Sequence, residues 1–222
     1  MSTTATRLGN ETIEPAQLRV EPAIDGRNRL TTAFRLILAI PHLLLVGGPI
    51  AGAMTWTSGD ANSRLDWGAG GVLGAVAAIV AFIAWFAIVF TGKYPEGLWN
   101  LAAFYLRWRA RALAYTSLLR DEYPPFGDGV YPASVVLQMP SGSRDRVSVG
   151  FRLILVLPQL LALWALGVAW AITTIIAWFS ILITRRYPAR LYEFGVGVLR
   201  WNVRVEAYLL LLHDHYPPFS LT

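Results

Sequence analysis

The sequence is written twice, and any fold it adopts has to accommodate that. Phe34-Arg35-Leu36-Ile37-Leu38, followed by Pro41, recurs as Phe151-Arg152-Leu153-Ile154-Leu155, followed by Pro158, an offset of 117 (151 − 34). Further on, Trp85-Phe86, Tyr94-Pro95, Arg107-Trp108, Arg111, Tyr115, Asp121 and Tyr123-Pro124-Pro125-Phe126 recur. Their counterparts are Trp178-Phe179, Tyr187-Pro188, Arg200-Trp201, Arg204, Tyr208, Asp214 and Tyr216-Pro217-Pro218-Phe219, an offset of 93 (178 − 85). The second copy is therefore 24 residues (117 − 93) shorter between the two blocks. Such self-similarity sets the architecture before any single element is considered. It divides the chain into a tail at 1–16, a first repeat at 17–126 and a second at 127–222.

Only 15% of the 222 residues are charged and 55% are hydrophobic, against about 25% charged in a soluble domain. The deficit lies in long apolar runs, so the chain reads as an all-α integral membrane protein. Leu30 to Met54 carries one charge, Arg35, and Gly70 to Thr91 carries none. Each is long enough for the roughly 20 residues that a membrane crossing needs. The polar stretch Thr55 to Ala69 between them predicts a transmembrane hairpin with an external loop. In the second copy Val147 to Thr184 runs 38 residues with only Arg152 charged and no polar interruption. One straight helix of that length would measure about 57 Å, nearly twice the hydrocarbon thickness. Analogy with the first copy predicts a hairpin with a tight turn near Ala165-Leu166-Gly167. The alternative is an arm around Pro158 that re-enters or lies in the interface. The polar segment from Met1 to Gln17 lacks the apolar core of a signal peptide.

Arg64 is the only Lys or Arg in the expected external loop, and the other 18 (19 − 1) lie elsewhere. The positive-inside rule then places both termini and both connecting segments in the cytoplasm of a multi-pass, bacterial inner-membrane protein. Two hairpins in series insert the same way, giving parallel repeats about an axis along the membrane normal. Inverted repeats, with an axis in the membrane plane, are excluded on that count.

After each hairpin a Tyr-Pro corner opens a long helical segment, Gly97 to Arg120 and Arg190 to His213. Central arginines make these poor spans, at roughly 2.5–3.5 kcal/mol each, so they are expected to lie on or beneath the cytoplasmic face. Each stops at Pro-Pro. Before each hairpin a short alternating stretch, Gln17 to Val20 and Ser134 to Leu137, reads as a strand, and the two could pair across the axis.

With the repeat laid out, the chain resembles a bacterial family of membrane proteins described only as a domain of unknown function. The resemblance rests on Arg35 to His42, Phe90 to Pro95, Arg107-Trp108 and Tyr123 to Phe126. The second copy departs from the pattern at Gln159 (for His42) and at Ile183 to Arg186 (for Phe90 to Lys93). It implies a membrane location and no particular activity.

Arg107 and Arg111 share a helix face, as do Arg200 and Arg204. Two guanidinium groups on one face suit phosphate, so these four are candidate anionic-lipid ligands. Arg35 and Arg152, placed to snorkel to the headgroups, join them. The competing reading is internal pairing with Asp121, Glu122, Glu193 or Glu206. His213-Asp214-His215 matches only Asp121 of the first copy, which argues against a metal site. His42, an ionisable group within an expected span, reads as functional by default; its counterpart is Gln159, so any such role is not duplicated, and the competing reading is neutral hydrogen bonding to a neighbouring helix. Gly48/Gly52 and Gly70/Gly74 have the spacing for close helix approach.

No expected span contains Asp, Glu or Lys, against an ion pump or proton-coupled transporter. There is no nucleotide, hydrolase or metalloprotease motif and no cysteine, and no cofactor is implied. The expected function is a non-enzymatic accessory or scaffold protein that binds anionic lipid and docks a membrane partner or a second copy, without nucleic acid. A transporter component, using His42, Gln159, Thr173 and Thr174, is the alternative. A lipid-modifying enzyme using Asp121 and Asp214 is the second.

Overall fold

The computed structural model of the chain describes residues 15–48 and 71–222. Residues 1–14 of the expected tail at 1–16, and the expected loop at 55–69, lie outside the described residues. In chain order the elements are β1 (Ala16–Val20), α1 (Arg29–Ala33), α2 (Arg35–Val46), α3 (Gly71–Thr91), α4 (Glu96–Thr116), β2 (Ala133–Leu137), α5 (Arg146–Gly150), α6 (Arg152–Leu155), α7 (Leu157–Thr184) and α8 (Ala189–Leu209). The described fold is mostly helical, with two short strands.

The strands pair antiparallel, with Leu18 opposite Val135. Those residues are 117 apart (135 − 18), so each faces its own repeat counterpart. Leu18 and Val135 are buried while Arg19 is exposed, the alternation a one-sided strand requires. The sheet packs on α8 and α4. These two helices form the centre of the molecule and run antiparallel. Trp99, near the start of α4, donates through Nε1 to Leu212 O beyond the end of α8, at 3.2 Å. Tyr105 and Arg109, a turn apart, both reach Glu206.

No turn occurs near Ala165-Leu166-Gly167. Helix α7 runs unbroken through it for 28 residues, and with α6 it makes one apolar helix of 33 residues. The expected second hairpin is thus replaced by a rod. A lone glycine costs a helix only about 1 kcal/mol, and nothing polar is present at 165–167 to favour a turn.

The first copy does not double back either. Along α4, Arg35 meets Tyr115, His42 meets Trp108 and Val46 meets Arg109. Gly74 of α3 meets Tyr105, close enough that a Cβ would lie 2.9 Å from its hydroxyl. α2 and α3 therefore follow one another along α4 in the same direction. Gly71 opens α3 at φ +66°, where a Cβ would stand 2.6 Å from the Leu45 carbonyl carbon and 2.7 Å from Gly47 N, so only glycine fits. The buried stripe Arg35, Ala39, His42, Val46 continues as Ala77, Val80, Ala84, Ile88. In the second copy it is Arg152, then Gln159, Trp170, Ala177 and Ile181. The 24 residues that the second copy lacks fall in the chain between α2 and α3.

The first helix of each repeat packs on the long helix of the other. Asn28 caps α1 through its side chain and Asp145 caps α5. Trp85 donates to Val149 O and Trp178 to Thr32 O, both at 3.0 Å. The long helices thus lie antiparallel. By length and composition, α3 and the α6–α7 rod are apolar enough to cross a membrane. Most of their girth is exposed and apolar, as at Phe82, Phe86, Phe90, Leu161, Ile175 and Ile183.

Candidate functional site

Two arginine–aspartate clusters occupy equivalent places. In one, Arg27 and Arg35 converge on Asp121 at 2.9 and 2.5 Å. In the other, Arg144 and Arg152 converge on Asp214 at 2.7 and 2.8 Å. Each aspartate follows a helix ending in a left-handed residue, Leu118 at φ 65° or Leu211 at φ 62°. That turn leaves helix-end carbonyls without intrahelical partners, and the arginines supply donors. Arg35 Nη1 donates to Tyr115 O and Arg120 O; Arg152 Nη1 donates to Tyr208 O and His213 O. Arg27 and Arg144 reach Leu118 O and Leu211 O. Asp121 and Asp214 also accept from Asn28 N and Asp145 N. The Arg35 and Arg152 guanidiniums lie 4.4 and 4.2 Å from the Tyr115 and Tyr208 ring centroids, within cation–π range.

These contacts correct one expectation. Arg35 and Arg152 are 1% and 2% exposed, turned inward rather than snorkelling outward. A carboxylate, two carbonyls and an aromatic face are better partners for a partly desolvated guanidinium than a distant headgroup. Asp214 feels burial, which pushes its carboxyl up. Hydrogen bonding and charge from Arg144, then Arg152, outweigh that and hold it at about 2. His213, whose counterpart is Arg120, is pulled down to about 4 by burial first and by Arg152, His215 and Arg144 after it.

The paired face of each central helix holds the segment beyond its Pro-Pro corner. Arg107 makes a bidentate pair with Asp128 at 3.1 Å, and Arg111 donates to Gly127 O. Arg200 donates to Leu221 O, and Arg204 to Ser220 O and Thr222 O. Arg107 and Arg200 keep partial exposure; Arg111 and Arg204 are buried. His42 Nδ1 accepts from Trp108 Nε1 at 3.0 Å, and Gln159 Oε1 accepts from Trp201 Nε1 at 2.7 Å. Glutamine can replace histidine there because both offer an acceptor at that point.

One cluster has no counterpart. Arg109, fully buried, donates to Val46 O, Gly48 O and Glu206, so it caps α2 where the rod is interrupted. Its counterpart is Asn202, and in the second copy the unbroken α7 leaves no such carbonyls open.

At the outer corners, exposed basic residues gather at the ends of the long helices. Arg29 lies at the end of α7, donating to Ile183 O, and Arg186 pairs with Asp25 at 2.8 Å. At the end of α3 the counterparts are Arg146, whose guanidinium lies against Gly92, and Lys93. Sequence reasoning named neither corner, nor Arg27 and Arg144, although each pair is marked by the 117 or 93 offset. Among the described residues no group of three or more His, Cys, Asp or Glu is placed to hold a metal.

Comparison with curated proteins and with solved structures found no match. A family model described as a domain of unknown function, DUF4389, matches residues 66–127 and 146–220, which take in α3–α4 and α5–α8 with their Pro-Pro corners. The motif at 35–42 lies outside the matched segments. Since 137 (62 + 75) of the 222 residues are matched, the chain belongs to the DUF4389 family.

Proposed function

We propose that this chain is a membrane-embedded scaffold without chemistry of its own, seated in the cytoplasmic leaflet of a bacterial inner membrane, where it holds anionic lipid and docks a membrane partner. The long apolar helices lie along the bilayer, and the axis relating the repeats stands along its normal. The observation that carries this reading is the path of residues 117–151. They run from the end of α4, beside Arg35, to α5, beside Trp85, and so travel the length of the bundle. They carry Asp121, Glu122, Asp128, Arg144 and Asp145. Were the helices to cross the bilayer, this charged segment would cross the hydrocarbon with them, at several kcal/mol per charge. The 33-residue rod, about 50 Å long, also exceeds a hydrocarbon core of about 30 Å. Lipid holding falls to the exposed basic corners, because the internal arginines are engaged. The absence of chemistry is supported by Asp121 and Asp214, whose oxygens are taken up by arginines.

The chain has no cysteine, so single spin labels can be placed cleanly at Leu161, Val168, Ile175 and Ile183. In reconstituted vesicles their depths, read from oxygen against nickel-chelate accessibility, should be alike. A rise and fall in depth along the series would mean that α7 crosses the membrane, and would overturn the reading.

A further inference from the structure

Most of the exposed large apolar side chains belong to two rods, the first made of α1–α3 and the second of α5–α7. Helices α3 and α7 contain no charged residue, and their outward side chains stay large and apolar from Val72 to Phe90 and from Leu161 to Ile183. Helix α1 packs on α7 and α5 packs on α3, so the rods lie side by side and are joined toward both ends. Tyr105, Trp108 and Arg109, on one face of α4, meet the first rod. Trp201 of α8 meets the second through Gln159. The strand pair packs on these central helices in turn. Rods, central pair and strands are therefore three successive layers, with the apolar surface gathered at one end of the stack. Exposed cations stand at the rod ends: Arg29 and Arg186 at the end of α7, Lys93 and Arg146 at the end of α3.

We infer that the chain shapes the membrane it sits in: the rods are a wedge in one leaflet, which settles on and induces curvature convex toward the protein. The occupant of the apolar face is the acyl chains of that single leaflet. A helix with its side chains is about 10 Å across, and one leaflet of hydrocarbon is about 15 Å deep, half of the core. A single layer of rods therefore fits within one leaflet and leaves the other untouched. The cations at the rod ends hold the rods at the top of that leaflet, since charge is costly below the headgroups. Two rods of about 50 Å add on the order of 1,000 Å² to one leaflet and nothing to its partner. A bilayer relieves that mismatch by bending, which is why helices lying in the interface are sensitive to curvature. The rods cannot yield instead, because Arg35 and Arg152 fix them to the ends of the central helices through Asp121 and Asp214. The inference rests on the in-plane reading above and adds to it an action on the bilayer.

The test is a narrow membrane tube drawn outward from a giant vesicle of phosphatidylcholine and phosphatidylglycerol. The whole protein is inserted from outside and carries a dye on Ser141→Cys, an exposed position. Measured against a lipid dye, it should be at least about twofold denser on the tube than on the flat vesicle. Phe82→Ala, Phe86→Ala and Phe90→Ala together thin the outward face of α3, where these rings touch in series. The rings are exposed, so the fold should stand while about half of the enrichment is lost. Enrichment unchanged in that triple variant would overturn the rods as its cause. A ratio at or below one, with spin-label depths alike along α7, would overturn the wedge and leave the in-plane seat intact. The same ratio with depths that rise and fall would overturn the in-plane reading itself.

Discussion

Asp121 and Asp214 each answer for two buried arginines, so removing either carboxylate strands two charges at once. Asp214→Asn should destabilise the protein by about 3 kcal/mol, and Asp121→Asn in the same direction, read as a lower thermal midpoint in detergent. Acid should do the same by titration. Asp214, depressed from 3.8 to about 2, stabilises fully above its unfolded value and loses that contribution as pH falls through the folded one. His213, depressed from 6.5 to about 4, favours the fold while neutral, and its contribution drains away between those values. The melting temperature should therefore fall from pH 7 to 4.5, and His213→Asn should flatten that slope; an unchanged slope would remove His213 as its source. The repeat marked both aspartates and the Arg35/Arg152 pair in advance. Their inward orientation was not legible, because whether an arginine snorkels or turns in depends on carbonyls exposed by a turn far along the chain, 80 residues from Arg35 to Tyr115 and 56 from Arg152 to Tyr208.

At the scale of elements, the strands and central helices were readable from alternation and from the Tyr-Pro and Pro-Pro boundaries, as at Gln17 to Val20 and Tyr94-Pro95. The hairpins were not. An unbroken apolar run fixes neither a turn nor its absence, and a polar insert was read as a loop joining two antiparallel arms when its arms lie end to end. Arg109 records the difference, being needed only where carbonyls of α2 are left open. Arg109→Asn, the residue of the second copy, should cost about 3–5 kcal/mol by leaving Glu206 with Tyr105 alone and those carbonyls without their donor. Joining Val46 to Gly71 by deleting 47–70 should keep the helical circular-dichroism signal. In that shortened chain Arg109→Asn should cost less, the coupling of a double-mutant cycle. Full additivity would show that Arg109 does not serve the interruption.

For the whole molecule, the offsets announced two related units but not how they face one another. The facing is set by side chains that cross between them, such as Trp85 on Val149 and Trp178 on Thr32. Thiols introduced as Lys93→Cys and Arg186→Cys should react with an impermeant maleimide from the same side of sealed vesicles. Labelling from opposite sides would mean that the antiparallel helices cross the bilayer. The exchange of first helices also bears on ancestry. A single unit of this kind packs its long helix on its own central helix but leaves its first helix, and the stretch of the long helix that receives the other unit's first helix, uncovered; two separate copies completing one another as a symmetric dimer would be obliged to carry identical corners and identical seams. Fusion into one gene lifts that obligation. It is what allows one rod to be interrupted and the other whole, and one corner to be sealed by its own carboxylate while its twin stays open.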